Sequence, residues 1–155
     1  MSGKVTGIVL GAVLAAAANA APADHYSVDG LNAEMAKLKA EAAATGSASE
    51  TLKRYANHFT MLAYRNKDGS AEIHRQYADM FYVVKGKATL VTEGAIPDAK
   101  EESPGEIRGK AVLDGKKTVL GEGDVVNIPA GTPHQLLVAP GDEFLYFVVK
   151  VKESE

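Results

Sequence analysis

The stretch from Gly123 to His134, Gly-Asp-Val-Val-Asn-Ile-Pro-Ala-Gly-Thr-Pro-His, constrains the fold of this chain more than any other. Gly123 and Asp124 open a short apolar strand over residues 125–128. Pro129-Ala130-Gly131 then imposes a turn, because proline fixes φ and glycine permits positive φ. Thr132 and Pro133 lead into a second strand that begins with His134. An imidazole is thereby held at a strand entrance by a stiff turn. From residue 55 onward the chain repeats this grain, with short apolar runs separated by Gly, Pro and Asp turns. Such a pattern predicts an antiparallel sandwich or barrel. In a small barrel the His134 position faces the interior.

The 155 residues suffice for one domain with a modest core. Seventeen Lys and Arg against twenty Asp and Glu give a net charge of -3, with the signs interspersed. Nothing in that balance points to nucleic acid or to an anionic membrane surface. No cysteine is present, so disulfides, thiolate metal sites and a cysteine nucleophile are excluded. Any metal must be held by nitrogen and oxygen. Lys4, the apolar run over residues 8–18 and the small-x-small sequence Ala18-Asn19-Ala20 have the form of an export signal. The run is short for a membrane span. Residues 1–20 are therefore predicted to be a signal peptide, with a mature chain starting at Ala21 in the periplasm or outside the cell.

Residues 21–50 are predicted to form a lead-in and a helix, capped by Asp29 or Gly30 and running to about Ala43. Leu31, Met35 and Leu38 share one narrow face, which suits packing on the outside of a barrel or against a second subunit. Residues 51–155 are predicted to form the barrel. Its strands fall near residues 58–64, 72–77, 79–84, 88–92, 125–128, from 134, and 144–151. Residues 94–109, with Pro97, Pro104 and many charges, look like a surface insertion. Residues 110–120 look like a hairpin around Asp114-Gly115.

The 123–134 stretch matches G-x5-P-x-G-x2-H and so resembles the second signature motif of the cupins. The resemblance implies an all-β, antiparallel double-stranded β-helix, or jelly roll, with the N-terminal helix as an addition. It extends to the region before Gly86, where the family's first motif, G-x5-H-x-H-x3,4-E-x6-G, has a degenerate counterpart. Asp79 stands at the glutamate position by its spacing to Gly86. His74 takes the first histidine position if the following segment is one residue shorter than usual, and Gln76 stands at the second. Val138 replaces the second motif's trailing asparagine. The implied cation ligands are His74, Asp79 and His134, with Gln76 as a fourth. In a strand His74 and Gln76 would share a face. Two histidines and a carboxylate suit a divalent metal such as Fe, Zn, Mn or Ni.

By the same alternation, Phe81 and Val83 share the Asp79 face, and Leu136 and Val138 share the His134 face. These four are predicted to line an apolar pocket for a small molecule. No lysine or arginine is clearly placed inside, which disfavours a phosphate or dicarboxylate. His58 is predicted to lie at the surface or behind the ligands, and His25 near the mature terminus. The resemblance implies metal-dependent oxygen, isomerase or lyase chemistry on a small organic substrate. The competing readings are a non-catalytic ligand-binding or sensor module, and a structural dimer working through the 94–109 insertion. Cupins often pair barrels edge to edge, so a homodimer is an expectation of the resemblance.

Overall fold

The computed structural model describes residues 21–153. The predicted signal segment, residues 1–20, lies outside the described residues. Ser27 caps the first helix, its hydroxyl accepting a hydrogen bond from the Gly30 amide at 3.0 Å. Helix α1 (Val28–Ala33) runs through Glu34 into α2 (Met35–Glu41), so the predicted helix is two short ones with an earlier cap. Leu31 and Leu38 are buried, and Met35 packs beside them. Burial of such a side chain contributes about 1.5–3 kcal/mol, enough to dock helices too short to hold alone.

Eleven strands follow: β1 (Ser47–Arg54), β2 (His58–Arg65), β3 (Ala71–His74), β4 (Tyr77–Gly86), β5 (Ala88–Thr92), β6 (Lys100–Ser103), β7 (Glu106–Gly109), β8 (Lys116–Leu120), β9 (Val125–Ile128), β10 (His134–Leu137) and β11 (Phe144–Lys152). They form two antiparallel sheets, ordered β1-β2-β11-β4-β9 and β6-β7-β3-β10-β5-β8. The architecture is the all-β jelly roll expected. Between the sheets lies a core that includes Phe81, Leu90, Leu136, Phe144 and Val148. On the outer face of the five-stranded sheet, Leu62, Tyr64, Val84 and Leu145 are covered by the helices. The predicted helix face thus packs on the outside of the barrel. Strand β1 begins at Ser47, inside the segment expected to precede the barrel.

Two expectations are corrected. The 94–109 segment is not merely a surface insertion, because β6 and β7 extend the six-stranded sheet and β7 pairs with β3. Nor do residues 110–120 form a hairpin. Strand β8 pairs with β5 instead, while Leu113 bridges back to Ala95. Turn residues at Asp114-Gly115 therefore mark a corner rather than a two-strand reversal, and β5 offers β8 a full ladder that residues 110–113 do not.

Candidate metal centre

Three strands of the six-stranded sheet place the polar groups by register. Glu72 of β3 pairs with Arg108 of β7 on one side and with His134 of β10 on the other. Two residues along β3, on the same face, His74 pairs with Glu106 of β7. The opposing sheet contributes a second row, in which Asp79 of β4 pairs with Lys150 of β11. The 129–133 turn delivers His134 as predicted. Gly131 has a φ of 78°, and its amide donates to the His74 carbonyl at 2.8 Å, tying the turn to β3.

His74, Asp79 and His134 are buried, at 4%, 4% and 5% exposure. Suitable ligand atoms of Glu72, His74 and His134 all lie within 4.8 Å of one another. Glu72 Oε2 is 3.2 Å from His74 Nε2 and 4.0 Å from His134 Nε2. Asp79 Oδ2 reaches the same two nitrogens at 3.5 and 3.9 Å. The structure therefore brings His74, Asp79 and His134 to one place and adds Glu72. Gln76 does not join them. The chain bends at Arg75 and Gln76, so strand alternation stops at His74, and Gln76 is exposed.

The imidazole orientations bear on whether a cation fits. His74 Nδ1 lies 2.6 Å from Glu106 Oε2, and His134 Nδ1 lies 2.9 Å from the Thr132 carbonyl oxygen. A carbonyl or an ionised carboxylate can only accept, so each Nδ1 carries the proton. In the neutral rings both Nε2 lone pairs then face Glu72 and Asp79; when His74 is protonated, its Nε2–H donates to Glu72 instead. Fixing the tautomer from behind is how ligating histidines are ordinarily held. Two imidazole nitrogens and facing carboxylate oxygens are a suitable donor set for a divalent transition metal.

The charges are heavily compensated. Arg108 contacts Glu72 Oε1 and lies 3.7 Å from Glu106. Lys150 Nζ donates to Asp79 Oδ1 at 2.5 Å. Burial opposes ionisation of Glu72, but the His74 hydrogen bond and the charges of Arg108 and the imidazoles outweigh it, lowering its pKa to about 2. Burial also pulls His74 down. Its hydrogen bond to Glu72 and the charges of Asp79 and Glu106 prevail over that and over Lys150, so its pKa is raised. For His134 burial wins, and the pKa is lowered.

The cluster sits in a cavity of about 340 Å³. Phe81 and Leu136 line it. Val83 and Val138 do not reach the wall. They lie two residues further along the same faces, among Phe144, Leu90 and Leu120 in the packed core. The expectation of an interior without basic residues is overturned, because Arg65, Arg108 and Lys150 all line the cavity. His58 stands apart, stacked on Tyr55 with ring centroids 4.2 Å apart.

Glu72 is legible from the same strand alternation as Gln76, counted in the other direction from His74. Arg65 follows Met61 and Ala63 on the inner face of β2, and Lys150 follows Tyr146 and Val148 along β11. Alternation could have found both. Glu106 and Arg108 carried no local signal, because only the β3–β7 pairing brings them in.

No protein-family profile and no curated protein matches the chain in sequence. Solved structures do match in shape. An uncharacterised conserved protein with a double-stranded β-helix domain from Klebsiella pneumoniae aligns at TM-score 0.55 and 13% identity, over 84% of this chain and 91% of that one. The polyketide cyclase RemF from Streptomyces resistomycificus aligns at 0.52 and 20% identity, over 70% and 67%. KdgF from Halomonas sp. aligns at 0.51 and 15% identity, over 71% and 83%. Likeness at these identities concerns the backbone. With eleven strands in two facing sheets, it shows that the chain has the double-stranded β-helix fold of the cupins, the fold its 123–134 motif resembles.

Proposed function

We propose that the barrel holds one divalent cation, Fe, Zn, Mn or Ni, through Nε2 of His74, Nε2 of His134 and the Glu72 carboxylate, with Asp79 beside them. The observation that carries this reading is the pair of imidazoles fixed from behind by Glu106 and Thr132, with both Nε2 atoms facing carboxylates. A cation bound there supplies a Lewis acid for an oxygen atom of a small organic substrate. The chain's own groups have separate tasks. Lys150 fixes Asp79 and neutralises it, Arg108 orients Glu72, and Phe81, Leu136, Met61 and Val148 provide apolar wall for the body of a substrate. The proposed location is the periplasm or the exterior, with residues 1–20 removed. The mass of the secreted product tests that point: a species starting at Ala21 is expected, and an intact N-terminus would refute it.

One observation favours a non-catalytic binding module. Glu72, Asp79 and Glu106 are already met by Arg108, Lys150 and His74, so the network is satisfied by its own side chains. Metal content of protein prepared without chelators separates the two readings. Near-stoichiometric metal supports the first, and metal-free protein that still binds small molecules supports the second.

The pH dependence has a definite sign. A cation must displace any proton on His74 Nε2, and the raised pKa of that group keeps it protonated above the usual imidazole midpoint of 6.5. Cation affinity is therefore expected to fall as pH drops through the raised His74 pKa, with proton release on binding. Calorimetric zinc titrations between about pH 8 and about pH 6 check this. Equal affinity across that range would contradict it.

A further inference from the structure

Arg65 ends β2 on the inner face of the barrel, its side chain 18% exposed. Its Nε donates to the Tyr146 hydroxyl at 3.3 Å. Its Nη2 lies 4.0 Å from Glu72 Oε1, beyond hydrogen-bond reach, and Arg108 already holds that oxygen. No carboxylate among the described residues hydrogen-bonds this guanidinium. The Tyr146 hydroxyl accepts from Arg65, and its own O–H donates to nothing among the described residues. Tyr146 is itself buried at 6% exposure, its ring set between Phe81 and Phe144 at centroid distances of 5.1 and 4.8 Å. A largely buried cation and a neighbouring hydroxyl thus both line the cavity with donors to spare.

The charge balance leads to the same ligand chemistry. The charged residues lining the cavity are Arg65, Arg108 and Lys150 against Glu72, Asp79 and Glu106, which cancel. A divalent cation adds two positive charges that the wall does not neutralise. In a half-buried chamber such an excess favours an anionic ligand. Glu72 links the two regions, with Oε2 in the histidine cluster and Oε1 4.0 Å from Arg65, so one small molecule can reach both.

We propose that the ligand of this cavity is a small organic carboxylate, its carboxylate held by Arg65 and the Tyr146 hydroxyl and its body lying against Phe81, Met61 and Leu136. This rests on the cation reading above. A carboxylate fits better than a phosphate because one guanidinium fork matches two coplanar oxygens, whereas the other two cations of the wall, Arg108 and Lys150, are held closely by Glu72 and Asp79.

The test uses the full chain loaded with Co(II), whose uptake and visible spectrum are recorded first. Calorimetry then compares glycolate with glycolamide, mandelate with mandelamide, and inorganic phosphate. Wild type is expected to bind at least one acid about tenfold or more tighter than its amide. Arg65→Gln should abolish that preference while Co(II) stoichiometry stays unchanged, and Arg65→Lys should restore part of it. Equal binding of acids and amides by Co(II)-loaded wild type overturns the inference. So does a preference that survives Arg65→Gln, or phosphate binding tighter than either acid. These results leave the cation reading intact. A wild type that takes up no Co(II) overturns the cation reading, and this inference with it.

Discussion

Replacing His134 with alanine is expected to lower divalent-cation affinity by at least about a hundredfold, since loss of groups behind a ligand already costs about 10–100-fold. His134 supplies one of the two nitrogens in the cluster and is 5% exposed, so no solvent-facing group substitutes for it. Its backbone pairing to Glu72 and Thr92 does not depend on the side chain, and the strand should persist. His58→Ala is the matched control, because His58 lies outside the cavity. Zinc titration of the two variants reads the difference. Equal affinity in His134→Ala and wild type would remove His134 from the site.

The second large effect concerns folding. Gly86 has a φ of 80° at the junction of β4 and β5, where only Lys87 separates the strands. A Cβ added there would stand 1.9 Å from the Glu143 carbonyl oxygen, a backbone atom that cannot step aside cheaply. Gly86→Ala should therefore cost at least about 3 kcal/mol, the upper part of the range for backbone strain, with the clash added. Gly131 makes the comparison informative. Its φ is 78°, but a Cβ there meets nothing within 4 Å, so Gly131→Ala should carry the backbone term alone, about 1–2 kcal/mol. Urea unfolding of both variants checks the order. If Gly86→Ala proves as stable as Gly131→Ala, the packing described at Glu143 is wrong.

These cases also show how far the fold was readable in the chain. Residues 123–134 announced themselves because Pro129 and Gly131 act through local backbone restrictions, and local restrictions are visible without a structure. Short apolar runs bounded by turn residues in β4, β5 and β11 were visible for the same reason. The partner of a strand is not local. Lys116–Leu120 satisfies its ladder on β5, and nothing within residues 110–120 says so. Glu106 and Arg108 sit in a segment of high charge that looks solvated, and only pairing with β3 makes them neighbours of His74 and Glu72. Gln76 shows the reverse error. Strand alternation breaks at the bend of Arg75 and Gln76, which turns the Gln76 side chain to solvent. The same period counted back from His74 reaches Glu72, whose burial depends on two strands distant in sequence.

The contrast between Glu72 and Gln76 gives the most direct test of the proposed cation site. Metal should be determined by elemental analysis in wild type, Glu72→Gln and Gln76→Ala, each prepared without chelator and re-equilibrated with one equivalent of Zn(II). The account predicts near-stoichiometric metal in wild type and in Gln76→Ala, because Gln76 is exposed outside the cluster. It predicts clear loss in Glu72→Gln, which removes the charged oxygen facing both Nε2 atoms. Wild type without metal, or a Glu72→Gln variant that holds it as firmly as wild type, would contradict the account.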